Sequence, residues 1–451
     1  MAKNKWFGTD GIRGVANEFP MTPEFVSKLA MAVAELVCLD KKKVAIAKDT
    51  RISCDMLEAA LISGFTAKGV DVIRLGVLPT PAVTTFVSEL EVDVALMITA
   101  SHNPYHDNGI KFITKGGDKF DDDIAEAIEN LIEDDNFKFD KDKVGEIYND
   151  YSIKDKYIKS VYKKFAQISL EGLKIVVDCA NGVFYDILPK VLRKFGAEVF
   201  ELGVEPDGFN INRDCGSQHP QKMSDMVKSK KADLGIAVDG DGDRVKIADD
   251  KGRLIKGEQL MAFLAKFLEE NGENKGRPIA STKLSNTALE RYVVDVLNLE
   301  YLSTDVGERP IIKILKKKGG IFGGEESGHI LLLDYAKSGD AMMTALKVLQ
   351  GLSRFGKKAS KIFPLFKEDF TYFENYSVSS AAKVKKITRK TELKELLAEL
   401  SNKIAGHGRV VIHPSGTEPK IRIWVCGDDE AMVNGFGQQL WDLIEKLSAE
   451  S

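Results

Sequence analysis

Three aspartates alternate with two glycines in the stretch DGDGDR, residues 239–244. Because little side-chain bulk separates them, the three carboxylates come close together and repel one another unless a cation lies among them. A set of oxygen ligands favours a hard cation, and Mg²⁺ is the first choice. The alternative is an Asx-rich surface turn, but the apolar run LGIAV directly before the motif favours a metal site. We therefore predict that Asp239, Asp241 and Asp243 bind Mg²⁺.

A serine follows a second apolar run, in the stretch ITASHNPYHDNGIKF, residues 98–112. Mg²⁺ often shares its site with a phosphate oxygen, and a serine hydroxyl at the end of a strand can carry a phosphoryl group as a covalent intermediate. Ser101 is therefore a candidate catalytic residue, a candidate site of modification and a candidate contributor to the metal site. Pro104 would stiffen the turn, and the alternative role for this serine is an ordinary helix N-cap.

Two cations are candidates for supporting such a transfer. Arg13 lies between glycines in GTDGIRG, residues 8–14, where the backbone can approach a ligand, although a tight turn with a solvated arginine is the alternative. A cation beside a phosphoryl group stabilises the charge that develops during transfer. Lys111, ten residues after the serine, is the second candidate, and a pKa lowered by such neighbours would let it act as a general acid or base.

Two further polar loops carry binding groups. GGEESGH, residues 323–329, offers Glu325 and Ser327, whose spacing suits adjacent hydroxyls of a sugar, together with His329; a polar loop with a structural histidine is the alternative. PSGTEPK, residues 414–420, suits a phosphate group, and a simple β-turn is the alternative. Its candidate phosphate-binding residues are Ser415, Gly416, Thr417 and the nearby Arg422.

The elements that position these loops recur three times along the chain. Short apolar runs alternate with helix-length segments over residues 43–104, 173–244 and 277–329, in the order strand, helix, strand, helix, strand. The third strand of each round leads into one of the polar loops, and ligands of open α/β sheets bind beyond the carboxyl ends of the strands. After about residue 370 the pattern changes to a strand, an amphipathic helix, a hairpin whose tip is the fourth loop, and a final helix.

Composition narrows the range of functions. The 451 residues are 43% hydrophobic and 29% charged, and the formal net charge of −4 offers no basic excess for binding nucleic acid. No apolar run approaches the length of a membrane span, and the absence of an apolar segment after the first lysines argues against a signal peptide. Five cysteines without CxxC spacing predict reduced thiols in a cytoplasmic protein. The absence of GxxxxGK[ST] gives no indication of a P-loop nucleotide site.

Taken together and in this order, TASHNP, DGDGDR, GEESGH and PSGTEP resemble the α-D-phosphohexomutase superfamily over essentially the whole chain. FGTDGIRG and SGTEP look like its phosphoglucosamine mutase branch, and the phosphomannomutase/phosphoglucomutase branch is the nearest alternative. The resemblance implies an α/β fold, with three related α/β domains of mixed or parallel sheets and a smaller C-terminal α+β domain around a central cleft. We expect domains at 1–150 with the phosphoserine, 151–253 with the metal loop, 254–368 with the sugar-binding loop and 369–451 with the phosphate-binding loop.

The resemblance also implies the reaction. Phosphorylated Ser101 would give its phosphoryl group to a hexosamine phosphate, and the resulting sugar bisphosphate would turn around and return its other phosphoryl group to the serine. Glucosamine 6-phosphate and glucosamine 1-phosphate would be interconverted in this way, which supplies amino-sugar nucleotides and cell-wall precursors. Arg13, Lys111 and His329 are implied for proton transfer and charge support, and Glu325 and Ser327 for contacts with sugar hydroxyls. A homodimer is compatible with this expectation.

Two departures from the family pattern bear on the choice of sugar. His413 stands where the family usually has an arginine or a similar residue, which would weaken or alter the grip on phosphate. The stretch KLSN, residues 283–286, departs from the apolar residue expected in the glucosamine branch. The identity of the sugar is therefore less strongly indicated than the reaction.

Overall fold

The structure is a computed structural model, and it describes residues 5–8, 10–356, 358–414 and 419–450. The chain divides into two compact units. The first unit comprises residues 1–256 and 327–363, and the second comprises residues 257–326 and 364–451. Among the described residues, no helix has both the length and the apolar character that a membrane span requires.

The first unit begins with a seven-stranded mixed sheet in the order β1-β2-β6-β5-β3-β4-β7. Its strands are β1 (Phe7–Gly8), β2 (Gly11–Val15), β3 (Lys43–Lys48), β4 (Asp71–Val77), β5 (Val94–Ile98), β6 (Asp107–Thr114) and β7 (Ile147–Asn149). The helices are α1 (Pro23–Leu36), α2 (Cys54–Ala67), α3 (Thr80–Phe86), followed by a 3₁₀ turn at Val87–Glu89, and α4 (Asp122–Asp134). Strands β3, β4 and β5 are parallel, whereas β6 runs antiparallel to β5.

The apolar runs explain why this sheet forms at the core. Every residue of β5 is buried, as expected for a strand covered on both faces. Helix α1 begins where the Thr22 hydroxyl accepts a hydrogen bond from the Phe25 amide at 3.3 Å, an N-cap that satisfies one of the free amides of the first turn. Its buried face packs with α2 against the strands. The carboxyl end of β5 is therefore fixed by a close-packed layer.

The second sheet of the first unit has five strands in the order β12-β11-β10-β8-β9. They are β8 (Lys174–Asp178), β9 (Glu198–Leu202), β10 (Leu234–Val238), β11 (Val245–Ala248) and β12 (Leu254–Ile255). The accompanying helices are α5 (Ser152–Lys164), α6 (Leu188–Lys194) and α7 (Gln221–Lys230). Strands β8, β9 and β10 are parallel, and β11 returns antiparallel to β10.

The second unit contains a parallel arrangement of three strands in the order β14-β13-β15. Its elements in chain order are α8 (Gly257–Glu270), β13 (Ile279–Thr282), α9 (Thr287–Arg291), a π-helical turn at Tyr292–Val296, β14 (Tyr301–Thr304), α10 (Glu308–Lys318) and β15 (Phe322–Gly324). The chain then returns to the first unit for β16 (Ile330–Leu332), α11 (Ala341–Phe355) and α12 (Ala359–Ile362).

The three rounds of strands share one topology. In each round the first strand lies between the second and the third, as in β4-β3-β5, β9-β8-β10 and β14-β13-β15. The prediction of three related α/β segments, each with the order strand, helix, strand, helix, strand, is confirmed.

The remainder of the second unit is a small α+β layer. It comprises β17 (Phe370–Ser377), α13 (Ala381–Thr388), α14 (Thr391–Ile404), β18 (Gly408–Pro414), β19 (Lys420–Gly427) and α15 (Glu430–Ala449). The three strands are antiparallel in the order β17-β19-β18, and the apolar faces of the helices pack with them in one core. The predicted strand, hairpin and two helices are confirmed, while α13 is an additional helix that the sequence reading did not include.

Candidate active site

Ser101 lies in the turn between β5 and β6. No helix begins at this serine, because the chain continues into the antiparallel strand β6, so the helix N-cap alternative is wrong. Its backbone has a φ of 52°, a left-handed conformation that costs a non-glycine residue roughly 1–2 kcal/mol. The side chain is buried, and its Oγ donates a hydrogen bond to Asp239 Oδ2 at 2.7 Å. The turn thus brings this hydroxyl directly against the aspartate loop.

The aspartate loop connects β10 to β11 and is buried, so the surface-turn alternative is also wrong. Asp239 Oδ1 accepts hydrogen bonds from the amides of Gly242, Asp243 and Arg244, each at 3.1 Å, which fixes the turn around this carboxylate. The two glycines have distinct roles. A side chain at position 240 would come within 2.6 Å of the Ser101 carbonyl oxygen, and Gly242 has a φ of 81° that disfavours other residues.

The other two aspartates meet Lys111. The Lys111 Nζ lies 2.7 Å from Asp241 Oδ2 and 3.4 Å from Asp243 Oδ2. Asp241 Oδ2 also accepts a hydrogen bond from the Thr80 hydroxyl at 2.6 Å, and the Thr80 amide donates to the Asp241 carbonyl oxygen at 3.0 Å. Lysine on β6 and threonine at the start of α3 therefore hold the aspartate loop from the side of the first sheet.

The electrostatics of the site reflect three buried carboxylates in one place. Burial and the charges of Asp243 and Asp241 raise the pKa of Asp239 well above its ordinary value. For Asp243 burial also favours the neutral form, but the positive charges of Lys111 and His329 outweigh it and lower its pKa. Without additional positive charge, the three aspartates do not all remain ionised easily.

The prediction that neighbouring groups lower the pKa of Lys111 is wrong. Burial acts to lower its pKa, but Asp10, Asp241 and Asp243 outweigh burial and raise the pKa well above the ordinary value. The sequence reading considered a neighbouring arginine, whereas the neighbours in the structure are mainly carboxylates. Lys111 is therefore a fixed positive charge in this arrangement.

Asp10 is a residue of the site that the sequence reading missed. Its carboxylate lies 3.2 Å from Lys111 Nζ, 2.6 Å from Lys119 Nζ and 2.6 Å from Arg13 Nη2. Burial works to raise its pKa, but these three cations lower it strongly. The signal was present in GTDGIRG, where the aspartate stands three residues before Arg13. Arg13 thus joins the site through Asp10.

Two histidines complete this part of the site. His329 is buried, with Nδ1 3.7 Å from Asp243 Oδ1, and its backbone forms a β-bridge with Arg244. His102, next to the serine, has a nitrogen 3.0 Å from Arg244 Nη1, and burial together with the arginine charge lowers its pKa to about 4. The structure therefore brings His329, one of the predicted residues, to the edge of the aspartate loop.

The predicted sugar- and phosphate-binding residues are divided between the two units. Ser327 belongs to the first unit, and its buried Oγ has no hydrogen-bond partner among the described residues. Glu325 belongs to the second unit, where its carboxylate accepts a hydrogen bond from the Gly307 amide at 3.0 Å. Arg422 lies on β19 opposite His413 on β18, and burial, Lys283 and Arg422 lower the pKa of His413. Ser415, Gly416 and Thr417 lie outside the described residues.

The aspartates fit a divalent cation. One oxygen from each of Asp239, Asp241 and Asp243 lies within 4.8 Å of the others, and all three residues are buried. The buried Oδ1 of Asp241 has no hydrogen-bond partner among the described residues. A buried carboxylate oxygen without a partner is unfavourable unless a cation or water satisfies it. Oxygen donors alone, without cysteine or histidine nitrogen in the set, are the ligands of hard cations.

The sequence matches known domain families along most of its length. Residues 4–139, 155–252 and 256–368 match the alpha/beta/alpha domains I, II and III of phosphoglucomutase/phosphomannomutase, and residues 375–442 match the C-terminal domain. The chain therefore belongs to the phosphoglucomutase/phosphomannomutase family, and the resemblance to the phosphohexomutase superfamily is confirmed. Enzymes of this class are isomerases that transfer a phosphoryl group intramolecularly, and the chain is one of them.

Curated relatives indicate the branch of the family. The chain is 40% identical to a phosphoglucosamine mutase of Mesorhizobium japonicum over 453 residues, which cover 99% of each chain. It is also 40% identical to a phosphoglucosamine mutase of Sinorhizobium medicae over 454 residues, or 98% of each chain.

Solved structures confirm the fold. A phosphoglucomutase/phosphomannomutase family protein from Burkholderia thailandensis gives a TM-score of 0.81 at 24% identity, covering 99% of this chain and 98% of that one. N-acetylphosphoglucosamine mutase from Aspergillus fumigatus, whose structure contains GlcNAc-6P and magnesium, gives a TM-score of 0.67 at 14% identity, covering 99% and 96%.

Proposed function

We propose that this chain interconverts glucosamine 6-phosphate and glucosamine 1-phosphate, with Ser101 as the phosphoryl carrier. The observation that carries the proposal is the 2.7 Å contact between Ser101 Oγ and Asp239 Oδ2, which places a nucleophilic hydroxyl beside three buried carboxylates. Identity of 40% to phosphoglucosamine mutases over nearly the whole chain supports the choice of sugar. The proposal includes a role in supplying amino-sugar nucleotides and cell-wall precursors.

The reaction balances without any other reactant. The C1 hydroxyl of glucosamine 6-phosphate gives its proton to a base and attacks the phosphorus of phosphorylated Ser101, and the bond from phosphorus to Oγ breaks as Oγ takes a proton. The product is a glucosamine 1,6-bisphosphate. After it turns around, the Ser101 hydroxyl gives its proton to a base and attacks the phosphorus at C6, and the O6–phosphorus bond breaks as O6 takes a proton. Glucosamine 1-phosphate leaves and the serine is phosphorylated again.

The proposal assigns Mg²⁺ to Asp239, Asp241 and Asp243, with an oxygen of the phosphate on Ser101 as a further ligand. When bound, Mg²⁺ would neutralise charge on the transferring phosphoryl group. The buried, mutually repelling carboxylates and the unpartnered Asp241 Oδ1 support this assignment. Thr80 and Lys111 orient Asp241 from the neighbouring sheet.

The other side chains have proposed roles as well. Lys111, held as a cation, supports charge on the phosphoryl group, and Arg13 supports it through Asp10. His329 is the proposed proton carrier, because its buried ring lies beside the aspartate loop, with Nδ1 3.7 Å from Asp243 Oδ1. The proposed sugar contacts are Glu325 and Ser327, and the proposed contacts with the non-reacting phosphate are Ser415, Gly416, Thr417 and Arg422.

We also propose the four domains 1–150, 151–253, 254–368 and 369–451. Each of the four family matches falls inside one of these segments, which supports the boundaries. The cytoplasm is the proposed location, and the free state of all five cysteines fits a reducing compartment.

The test measures turnover of glucosamine 6-phosphate, glucose 6-phosphate and mannose 6-phosphate, each with Mg²⁺ and with a chelator. The proposal predicts the highest kcat/KM for the glucosamine compound and loss of turnover in the chelator. Ser101→Ala abolishes turnover, whereas the control Ser229→Ala, at an exposed serine whose hydroxyl bonds only within α7, does not. Higher kcat/KM for glucose or mannose phosphate would favour the alternative phosphomannomutase/phosphoglucomutase activity, and full activity of the Ser101 variant would overturn the proposal.

A further inference from the structure

The guanidinium group of Arg51 lies under the turn that carries Ser101. Its side chain is fully buried, as is that of Asp49, and Arg51 Nε donates to Asp49 Oδ2 at 2.9 Å. The remaining four N–H groups of the guanidinium point at main-chain oxygens. Nη1 donates to the carbonyl oxygens of Pro104 and Asp107, and Nη2 donates to those of Ser101 and Asn103.

All five donors of this guanidinium are therefore used, and four of them serve a segment of seven residues. A planar fork with five fixed donors can hold several oxygens in one arrangement, which a lysine with its compact charge cannot reproduce. The distances are 3.0 Å to the Ser101 oxygen, 2.8 Å to that of Asn103 and 2.9 Å to that of Asp107. Arg51 thus fixes the curvature of the whole turn.

A second donor reaches the same turn from the loop between β9 and α7. Asn212 Nδ2 donates to the carbonyl oxygens of Ser101 and Asn103, at 2.9 Å and 3.0 Å. The Ser101 carbonyl therefore accepts from both Arg51 and Asn212. Gly240 of the aspartate loop packs against these groups, since a side chain there would lie 2.6 Å from the Ser101 oxygen and 2.9 Å from Asn212 Nδ2.

The amide side of Ser101 is fixed as well. The Ser101 amide donates to the Thr99 hydroxyl at 2.9 Å, and that hydroxyl donates to Asp49 Oδ2 at 2.7 Å. Asp49 thus supports the serine through Thr99 on one side and through Arg51 on the other. With both backbone groups held, the serine keeps its left-handed φ of 52° and presents Oγ to Asp239.

We infer that Arg51 and Asn212 are positioning residues, which hold Ser101 in a strained backbone conformation so that its Oγ faces the aspartates. Neither is a catalytic residue, because both act through the Ser101 and Asn103 carbonyl oxygens and not through the hydroxyl. Strained backbone persists where surrounding contacts fix it, and it is common at functional sites. The inference rests on the proposed role of Ser101 as the phosphoryl carrier.

The test compares Arg51→Lys and Asn212→Ala with the control Asn210→Ala. Asn210 lies in the same loop as Asn212, and its side chain bonds to Glu205 and Asp207. The proteins are phosphorylated with glucose 1,6-bisphosphate and mixed with glucosamine 6-phosphate in a single turnover. The rate constant for loss of phosphate from Ser101 is the first readout, since an unfolded fraction changes the amplitude and not the rate constant. The second readout is amide hydrogen exchange of residues 101–107 in the unphosphorylated proteins.

The inference predicts a rate constant about 10-fold lower for Asn212→Ala and about 100-fold lower for Arg51→Lys, in line with the effect of small misplacement of reacting groups. Steady-state KM stays within about threefold of the wild-type value, because misplacement of the nucleophile affects chemistry more than binding. Exchange in 101–107 becomes at least about tenfold faster in both variants, a local opening, and Asn210→Ala behaves as wild type.

Rate constants within twofold of wild type in both variants, or unchanged exchange in 101–107, would overturn the inference. If Arg51→Lys does not fold, the rate constant and the amide exchange of Asn212→Ala alone test the inference. Failure of the proposed function can be distinguished from failure of this inference. If Ser101 is not the phosphoryl carrier, Ser101→Ala retains turnover, and amide exchange in residues 101–107 still shows whether Arg51 and Asn212 hold the turn.

Discussion

Replacing Lys111 by methionine removes an ammonium group from among three carboxylates. Lys111 Nζ lies 2.7 Å from Asp241, 3.2 Å from Asp10 and 3.4 Å from Asp243, and the side chain is almost fully buried. Methionine keeps a chain of similar length and fills most of the space. The substitution therefore isolates the loss of the positive charge from the loss of packing.

The loss of stability in Lys111→Met depends on the burial of the carboxylates that Lys111 contacts. Removing one member of a buried ion pair costs about 3–5 kcal/mol, because the remaining charge has no compensation. For a unit of this size we expect the melting temperature to fall by about 6–10 °C in a chelator. Mg²⁺ restores positive charge at the same carboxylates, and at 100 times its Kd it adds about 2.7 kcal/mol. Wild type gains this binding energy as well, so the loss relative to wild type should shrink in saturating Mg²⁺ by about 1.4 kcal/mol for each tenfold by which Lys111→Met binds the ion more tightly.

The assay is thermal melting followed by circular dichroism, with chelator and with saturating MgCl₂, combined with calorimetric titration of Mg²⁺. Lys111→Met should bind Mg²⁺ more tightly than wild type, because a like charge beside the ion is gone, while kcat falls by about 10²–10³-fold. Lys154→Met is the control, since Lys154 pairs with Asp186 at 2.6 Å and not with the three aspartates, and is about a third exposed. It should cost about 1 kcal/mol or less under both conditions.

Two results would refute this reasoning. One is an equal loss of melting temperature for Lys111→Met with and without Mg²⁺, and the other is weaker Mg²⁺ binding by that variant.

Three further predictions concern neighbouring groups. Thr80→Val removes the 2.6 Å hydrogen bond to Asp241 and should weaken Mg²⁺ affinity about 10-fold in an activity titration. The control Thr66→Val, at a helix hydroxyl that donates to the Ile62 carbonyl oxygen, should leave the affinity unchanged. Equal Mg²⁺ affinities of the two variants would contradict the role of Thr80. Gly240→Ala should lower turnover more than about 10²-fold, because the added carbon would contact the Ser101 carbonyl oxygen. The control Gly435→Ala, with no atom within 4 Å of the added carbon, should leave turnover unchanged. An active Gly240→Ala variant would disprove the close packing of Gly240 against Ser101. Burial raises the pKa of Asp340 from 3.8 to about 6, so the protonated form of this carboxyl group is favoured in the folded state. Its contribution to the free energy of unfolding, about 3 kcal/mol, is present below pH 4 and is lost as the pH rises through 6. Asp340→Asn should flatten the change in melting temperature between pH 4 and 7, and an unchanged profile would argue against this assignment.

Local patterns were sufficient to predict most of the fold. Apolar runs of four to eight residues identified the central strands, because a strand covered on both faces must be apolar throughout. The Asp-Gly alternation identified the aspartate loop. In the structure, the glycine at position 240 allows this loop to pack against the Ser101 carbonyl oxygen, which a side chain there would prevent. The placement of Ser101 against Asp239, 138 positions away, came from the combination of motifs and not from either one alone.

The residues that sequence reasoning missed act over long separations. Thr80 reaches Asp241 across 161 positions, and Asn212 reaches Ser101 across 111. A threonine in LPTP and an asparagine in a loop have no local pattern that distinguishes them from turn residues. The direction of the Lys111 pKa was wrong for the same reason, since Asp10 and the aspartate loop become its neighbours only in the folded chain. The central cleft and the roles of Glu325, Ser327 and residues 415–417 stay predictions.

The most direct test of the central claim is the intact mass and peptide map of the protein after incubation with glucose 1,6-bisphosphate and Mg²⁺. The proposed function predicts a gain of about 80 Da, one phosphate group, on the peptide that contains Ser101. Glucosamine 6-phosphate should remove this mass within a single turnover, and Ser101→Ala should never acquire it. Turnover by a protein that carries no phosphate on Ser101 at any stage would contradict the account.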